Sequence, residues 1–329
     1  MKITHKDIIK LCSERYCNEK QIKKYDSFDA TKLQNIINQI HPDHLELVYN
    51  AILANNIQFS ADRTRYCRRE VIDENGRMRT KVFAPIDENE SDTFFHELGH
   101  AVNYCLSEEA GGYYDLLGIR YDGELSLGSI LSSELEKNGK VIKEQILDAH
   151  RQAVAEQLGV EVYDSLAENA KTVKEFLKLQ RQVGGLCGFA FPSEKRKNSP
   201  NYQVYRDRLN QIKEEVFGKA MIANRNKLMC CDAHKKFVED NCAVLDALSS
   251  VYDMDYPYAL QIHTEKYYKK SPTHQLDELW ANLFEIKIVE NKERIANFKK
   301  YMPVTYGIFE LAFEKIKEFY HFRQALNVA

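Results

Sequence analysis

The stretch that decides the fold is Phe94-Phe95-His96-Glu97-Leu98-Gly99-His100-Ala101-Val102-Asn103-Tyr104-Cys105. On an α-helix, residues four apart lie on the same face, one turn above the other. His96 and His100 would therefore point the same way, and both imidazoles could reach one metal ion. Neutral imidazole is a good ligand for Zn²⁺, and a glutamate beside the first histidine can act as a general base.

The residues around this motif favour a helix. Apolar residues recur at the spacing of a buried helical face, at Phe94, Leu98, Ala101, Val102 and Cys105. Ser91 and Asp92 provide a cap and a first-turn acid, and Gly111-Gly112 would end the helix. The pattern predicts a helix of roughly five turns that carries both histidines.

A catalytic zinc site needs a third protein ligand. A histidine could supply it if the motif continued with a glycine and then a histidine three residues later. Asn103 and Leu106 occupy those two positions, so this continuation is excluded. A glutamate on a second helix is the other common solution.

The strongest candidate is Glu278, in the stretch Leu276-Asp277-Glu278-Leu279-Trp280-Ala281-Asn282-Leu283-Phe284-Glu285-Ile286. The apolar residues of this stretch form a helical stripe, and Glu278 lies off its centre. Its carboxylate could face a metal ion, with Asn282 supporting it by a hydrogen bond. Glu108, Glu109 and Glu124 are nearer in sequence and stay open as alternatives.

The two motifs HELGHAVNY and DELWANLF together resemble the gluzincin family of zinc metallopeptidases. This family includes the catalytic domain of anthrax lethal factor and zincin-like domains of phage and mobile-element proteins. The resemblance covers less than half of the chain. It implies His96, His100 and Glu278 as zinc ligands and Glu97 as the general base.

Family members also tend to carry a tyrosine shortly before the ligand glutamate, where it can donate to the oxyanion. By resemblance this role falls to Tyr267 first and to Tyr268 second. Two features depart from the family pattern. Asn282 replaces the second acid of the toxin's helix, and 178 positions separate His100 from Glu278, which implies a large insertion.

A β-hairpin is predicted just before the motif helix. Tyr66 to Ile72 and Arg79 to Ile86 have strand-like patterns, and Asn75-Gly76 between them is a strong turn signal. In zincins, an edge strand before the metal-binding helix binds the substrate backbone by strand addition. We assign that role to Lys81, Val82, Phe83 and Ala84. The sequence supports equally well a hairpin that is purely structural and binds no substrate.

The fold predicted from these elements is α+β and predominantly helical. A small sheet and the motif helix would form a zincin-like catalytic core with a large helical insertion. We expect a helical lobe in residues 1–56, the hairpin and motif helix in 57–112, the insertion in 113–260, and the third-ligand helix with a C-terminal helix in 261–329. The C-terminal helix is predicted from Tyr306 to Ala325. One face of it would carry the apolar residues Ile308, Leu311, Ala312, Ile316 and Phe319 and pack behind the active site.

Composition narrows the class of protein. The chain has 329 residues, 44% of them hydrophobic and 29% charged, with a net charge of −3. No strongly basic region or recognised motif suggests nucleic acid, and no long apolar stretch predicts a membrane helix or a signal peptide. The eight cysteines show no paired spacing, which is typical of free thiols. We expect a cytoplasmic protein, or one exported without a classical signal; the sequence does not indicate its oligomeric state.

The predicted function is a zinc metalloendopeptidase with one Zn²⁺ ion and a protein or peptide substrate. Glu97 would activate a zinc-bound water for attack on the peptide bond. Two alternatives stay open. The fold could serve as a structural or interaction protein of a phage or mobile element with a vestigial metal site, or as a metal-assisted hydrolase of a non-peptide amide.

Overall fold

A computed structural model describes most of the chain, in the following residues: 2–16, 29–61, 66–71, 78–84, 86–87, 90–107, 127–168, 175, 178–179, 197–198, 200–215, 227–252, 254, 263, 265–269 and 274–327. It is mostly helical, with one small sheet of three strands, so the α+β, predominantly helical class is confirmed. The chain divides into two compact units, the first comprising Met1–Lys137 with Tyr268–Ala329 and the second comprising Asn138–Tyr267.

The first unit begins with short helices whose apolar faces are buried. They are α1 (His5–Glu14), α2 (Ala30–Ile37), a 3-10 turn (Pro42–His44) and α3 (Leu45–Ala54). Local capping fixes where two of them start. Asp7 accepts a hydrogen bond from the backbone N–H of Thr4 at 2.8 Å, and Asp29 accepts from the backbone N–H groups of Thr31 and Lys32.

The sheet consists of β1 (Ile57–Ala61), β2 (Tyr66–Val71) and β3 (Met78–Ala84), in the order β1-β3-β2. β2 and β3 pair antiparallel, with Val71 opposite Met78, as the predicted hairpin requires; its turn lies outside the described residues. β1 pairs with β3 in parallel, from Ile57 opposite Thr80 to Ala61 opposite Ala84.

This strand order corrects the predicted substrate-binding edge. Lys81, Val82, Phe83 and Ala84 belong to β3, which is hydrogen-bonded to a neighbour on each side. All four residues are buried. A strand that is paired on both sides has no backbone groups left for strand addition. The prediction of an edge strand at these four residues is therefore wrong.

Among the described residues, four more helices belong wholly to the first unit. They are α4 (Ser91–Ser107), α10 (His274–Ile288), α11 (Lys292–Tyr301) and α12 (Pro303–Asn327). α4 packs against the sheet, where Phe94 stacks on Phe59 of β1 with ring centroids 5.4 Å apart. The core behind α10 is aromatic, because Trp280 and Phe284 meet Phe309 and Phe313 of α12.

The buried face of α12 agrees with the predicted one at Ala312 and Ile316 but not at Leu311. Leu311 is 62% exposed, and Phe309 and Phe313 are buried although the prediction did not include them. The start of α12 is fixed by Glu134, which accepts hydrogen bonds from the backbone N–H groups of Val304 and Thr305. Glu134 lies in α5 (Leu127–Leu158), a helix whose first turns belong to the first unit and whose remainder belongs to the second.

The second unit is built from helices in all the parts that the structure describes at length. Besides α5 they are α6 (Val160–Glu168), α7 (Tyr202–Glu215) and α8 (Asp232–Ser249), and the short helix α9 (Glu265–Tyr268) follows at the unit boundary. A compact apolar cluster joins α5, α6, α7 and the start of α8. It is formed by Val154, Tyr163, Leu179, Leu209, Ile212, Leu228 and Cys231. No helix among the described residues is long and apolar enough to cross a membrane.

His150 is buried in the second unit beside a tyrosine and a second histidine. The ring of His150 is within hydrogen-bond distance of the Tyr163 hydroxyl (3.1 Å) and of His234 (3.0 Å). Burial and the neighbouring His234 lower the pKa of His150 to about 3. An unfolded histidine has a pKa of about 6.5, so below that pH only the unfolded state takes up this proton.

We therefore expect the free energy of unfolding to fall as the pH drops below about 6.5. The contribution of His150 is fully present above pH 6.5, and at pH 5 its loss amounts to about 2 kcal/mol. Urea unfolding of the whole chain at pH 7 and pH 5 measures this loss. His150→Gln should show a loss smaller by that amount; an equal loss in both proteins would contradict the assignment.

Candidate metal centre

Two helices of the first unit bring the three predicted ligands together. Oε2 of Glu278, on α10, lies 3.2 Å from Nε2 of His96 and 3.7 Å from Nε2 of His100, both on α4. The side chains are largely shielded from water, with exposed fractions of 16% for His96, 11% for His100 and 5% for Glu278. Two imidazole nitrogens and one carboxylate oxygen therefore converge on one point.

This group could hold a metal ion. Its ligand atoms all lie within 4.8 Å of one another. Zinc–ligand bonds of 2.0–2.2 Å in tetrahedral geometry place neighbouring ligand atoms about 3.3–3.6 Å apart, close to the 3.2 Å and 3.7 Å that separate Glu278 from the two histidines. Two histidines and one carboxylate also match the ligand types of catalytic zinc sites, which leave a fourth position open.

Gly99 allows α4 and α10 to approach closely enough for this convergence. A Cβ atom at Gly99 would lie 3.0 Å from Cα of Ala281 and 3.2 Å from Cβ of Phe284. The nearest atom is backbone, so it cannot move aside as a flexible side chain could. A second contact fixes the register of the two helices, because the side-chain N–H of Asn103 donates to Asp277 at 2.8 Å.

We expect Gly99→Ala to destabilise the protein and to weaken metal binding. Alanine favours a helix by about 1 kcal/mol over glycine, but overpacking costs about 1–3 kcal/mol and separates the ligand-bearing helices. Gly307→Ala on α12 is the matched control, since a Cβ there meets nothing within 4 Å and should slightly stabilise. Thermal unfolding measures the stability of both variants. An equal gain in stability in the two variants would disprove the close-packing argument.

The charges of the group support each other. Burial opposes a charge on His96, but the hydrogen bonds and charges of Glu278 and Glu285 outweigh it and raise the pKa of His96 to about 10. Burial likewise opposes a charge on Glu278, but His100 and His96 hold the pKa of that carboxyl well below its usual range. A metal ion entering this group would therefore have to displace a proton from His96.

The structure also describes the positions of Glu97, Asn282, Tyr267 and Tyr268, whose roles remain predictions. Glu97 is buried on α4, directly after His96, with 6% of its surface exposed. Asn282 is buried on α10, one turn after Glu278. Tyr268 is buried in the first unit, whereas Tyr267 belongs to the second unit, where its ring stacks on His263 with centroids 4.2 Å apart.

The structure adds three residues that sequence reasoning did not assign to the site. Oε2 of Glu285 lies 3.7 Å from Nδ1 of His96, on the opposite side of the ring from Glu278. The guanidinium of Arg294, on α11, pairs with Glu285 and with Asp92, at 2.8 Å each. The spacing of seven residues between Glu278 and Glu285, two helical turns, is the signal that could have revealed Glu285.

Glu108, Glu109 and Glu124, the alternative third ligands, lie outside the described residues. Comparisons of this chain with protein-family models, with curated proteins and with solved structures found no match.

Proposed function

We propose that this protein is a zinc-dependent metallopeptidase with a zincin-like catalytic core. The observation that carries the proposal is the convergence of His96, His100 and Glu278, whose ligand atoms lie within 4.8 Å of one another. A structural zinc site normally uses four protein ligands, whereas three ligands with one open position are typical of catalytic zinc. The buried acid that directly follows the first histidine, Glu97, adds the general base that hydrolysis requires.

His96, His100 and Glu278 would hold the ion. Bound Zn²⁺ would supply Lewis acidity, lowering the pKa of a coordinated water towards about 7 and polarising the substrate carbonyl. Glu97 would accept the proton that the attacking water gives up and then donate it to the leaving amine. The shielding of the three ligands from solvent strengthens the electrostatic interactions on which both transfers depend.

A tyrosine hydroxyl near the scissile carbonyl would stabilise the oxyanion, and we assign this role to Tyr267 or Tyr268. The substrate would be a protein or peptide. Asn282, one turn beyond Glu278 on α10, would support the ligand carboxylate through a hydrogen bond.

The first test is metal content. The purified chain should contain one zinc ion per molecule, and removal of that ion by a chelator should lower its thermal stability, because a ligand that binds only the folded state stabilises it. The zinc-loaded protein should cleave peptides from a mixed-sequence library, and addition of the chelator should stop the cleavage.

The outcomes separate the alternatives. A chain that does not bind zinc would disprove the metal centre. A chain that binds zinc tightly but cleaves no peptide would disprove the peptidase and favour either a vestigial site or hydrolysis of a non-peptide amide.

A further inference from the structure

Glu285 is placed to control the first histidine ligand. It lies on α10 two turns after Glu278, and the imidazole of His96 lies between the two carboxylates. We propose that Glu285 is a positioning residue that orients His96 for metal binding, and that Arg294 and Asp92 hold Glu285 in place. This inference rests on the proposed zinc site and extends it to residues that do not bind the ion.

The two nitrogens of His96 face different partners. Nε2 is 3.2 Å from the ligand atom of Glu278, so Nε2 is the nitrogen that faces the metal position. An imidazole that binds a metal through Nε2 carries its remaining hydrogen on Nδ1. Nδ1 faces Oε2 of Glu285 at 3.7 Å, an ion-pair distance from which a small ring rotation reaches hydrogen-bond length. A carboxylate in this position fixes both the tautomer and the orientation of a metal-binding histidine.

The two oxygens of Glu285 have separate partners. Oε2 faces His96, while Oε1 pairs with Nη2 of Arg294 at 2.8 Å. Nη1 of the same guanidinium pairs with Asp92 at 2.8 Å, in the first turn of α4 and one turn before His96. Only 5% of the Arg294 side chain and 6% of the Glu285 side chain are exposed, so this pair is shielded from solvent, whereas 47% of the Asp92 side chain is exposed.

Arg294 therefore connects three helices near His96 through its two ion pairs. It extends from α11, holds the carboxylate that comes from α10, and is itself anchored at the start of α4. An arginine is suited to this task because its planar guanidinium presents several donors in fixed directions. These two ion pairs limit the movement of Glu285, and thereby limit the orientations open to the His96 ring that Glu285 faces.

The experiment measures the zinc dissociation constant by competition with a chromophoric chelator, at one fixed pH. Glu285→Gln keeps the shape of the side chain and removes its charge. We expect it to weaken zinc binding about 10–100-fold, the usual effect of losing such a partner. The matched control is Glu134→Gln, which also neutralises a buried glutamate of the first unit but one that caps α12. The control should lower thermal stability and leave the zinc dissociation constant within about twofold of the parent.

A second readout is specific to the metal environment. With Co²⁺ in place of zinc, the visible absorption bands report ligand geometry. Those bands should shift in Glu285→Gln and stay unchanged in Glu134→Gln. Because Glu285→Gln leaves the buried Arg294 short of a partner, the double variant Glu285→Gln with Arg294→Gln is made in parallel, and it should show the same weakening.

The inference is overturned if Glu285→Gln or the double variant binds zinc within about twofold of the parent protein with unchanged Co²⁺ bands. That outcome would leave the proposed function intact, since the parent protein would still bind one zinc ion. Failure of the parent protein itself to bind zinc would instead disprove the proposed function.

Discussion

Replacement of Glu97 by glutamine should leave one zinc ion bound per chain and lower the rate of peptide hydrolysis by about 10²–10⁴-fold. Glutamine has nearly the shape of glutamate, so the ligand geometry on the same helix is preserved. It cannot accept the proton of the attacking water or return it to the leaving amine. Elemental analysis and initial-rate measurements on the same preparation test both halves of this expectation.

Glu136→Gln is the matched control for Glu97→Gln. It makes the same chemical change at an exposed position in the same unit, and its rate should equal that of the parent. If Glu97→Gln cleaves peptides at the parental rate, Glu97 is not the general base. If it loses zinc as well as activity, the loss of rate reports damage to the site rather than loss of a proton acceptor.

Glu278→Gln should reduce zinc affinity by more than about 100-fold, which exceeds the effect of losing a partner that does not touch the metal. The change replaces an anionic ligand with a neutral amide, and only two imidazoles would be left to bind the ion. Zinc competition titration measures the loss directly. Peptide hydrolysis should fall in parallel at limiting zinc.

The effect of Glu278→Gln on folding must be separated from its effect on zinc binding. Because 96% of Glu278 is buried, its replacement also changes stability, so thermal unfolding is compared in the presence of excess chelator, where no zinc contributes. A folded Glu278→Gln protein that binds zinc as tightly as the parent would show that another acid is the third ligand. Glu108, Glu109 and Glu124 would then be the candidates to replace next.

The spacing of apolar residues was sufficient to predict both ligand-bearing helices. Phe94 and Leu98 are buried on α4, and Leu279 and Leu283 are buried on α10, in agreement with a 3.6-residue period. The same period placed Glu278 off the centre of the apolar stripe of its helix, but it did not by itself direct Glu278 towards the two histidines. The expected meeting of these three side chains depended on a chemical requirement, since two histidine ligands need a third.

The order of strands could not be predicted in the same way. An Asn-Gly turn indicates that two neighbouring strands pair, and β2 and β3 do pair. The turn carries no information about the other side of β3. There β1 pairs with β3 in parallel, although β2 lies between these two strands in the sequence. Parallel pairing between strands distant in sequence leaves no local turn signal, so an edge strand and a central strand looked alike.

Two other features could not be predicted from the sequence because they depend on how the helices pack. α12 contains apolar residues on more than one face, and the face that is buried carries Phe309 and Phe313, whereas Leu311 is exposed. Glu285 and Arg294 resemble ordinary charged residues of surface helices in the sequence. Their burial against His96 depends on how α4, α10 and α11 pack, which no single helical pattern specifies.

The close approach at Gly99 also has a consequence for searching and redesigning such proteins. In a pattern written as His-Glu-any-any-His, the fourth position counts as free, and any residue scores equally. In this chain that position is determined by the backbone of Ala281, 3.0 Å from where a methyl group would begin. A designer who transplants these two helices must therefore keep Gly99 and Ala281 together. A sequence with large residues at both positions is not expected to assemble the same metal centre.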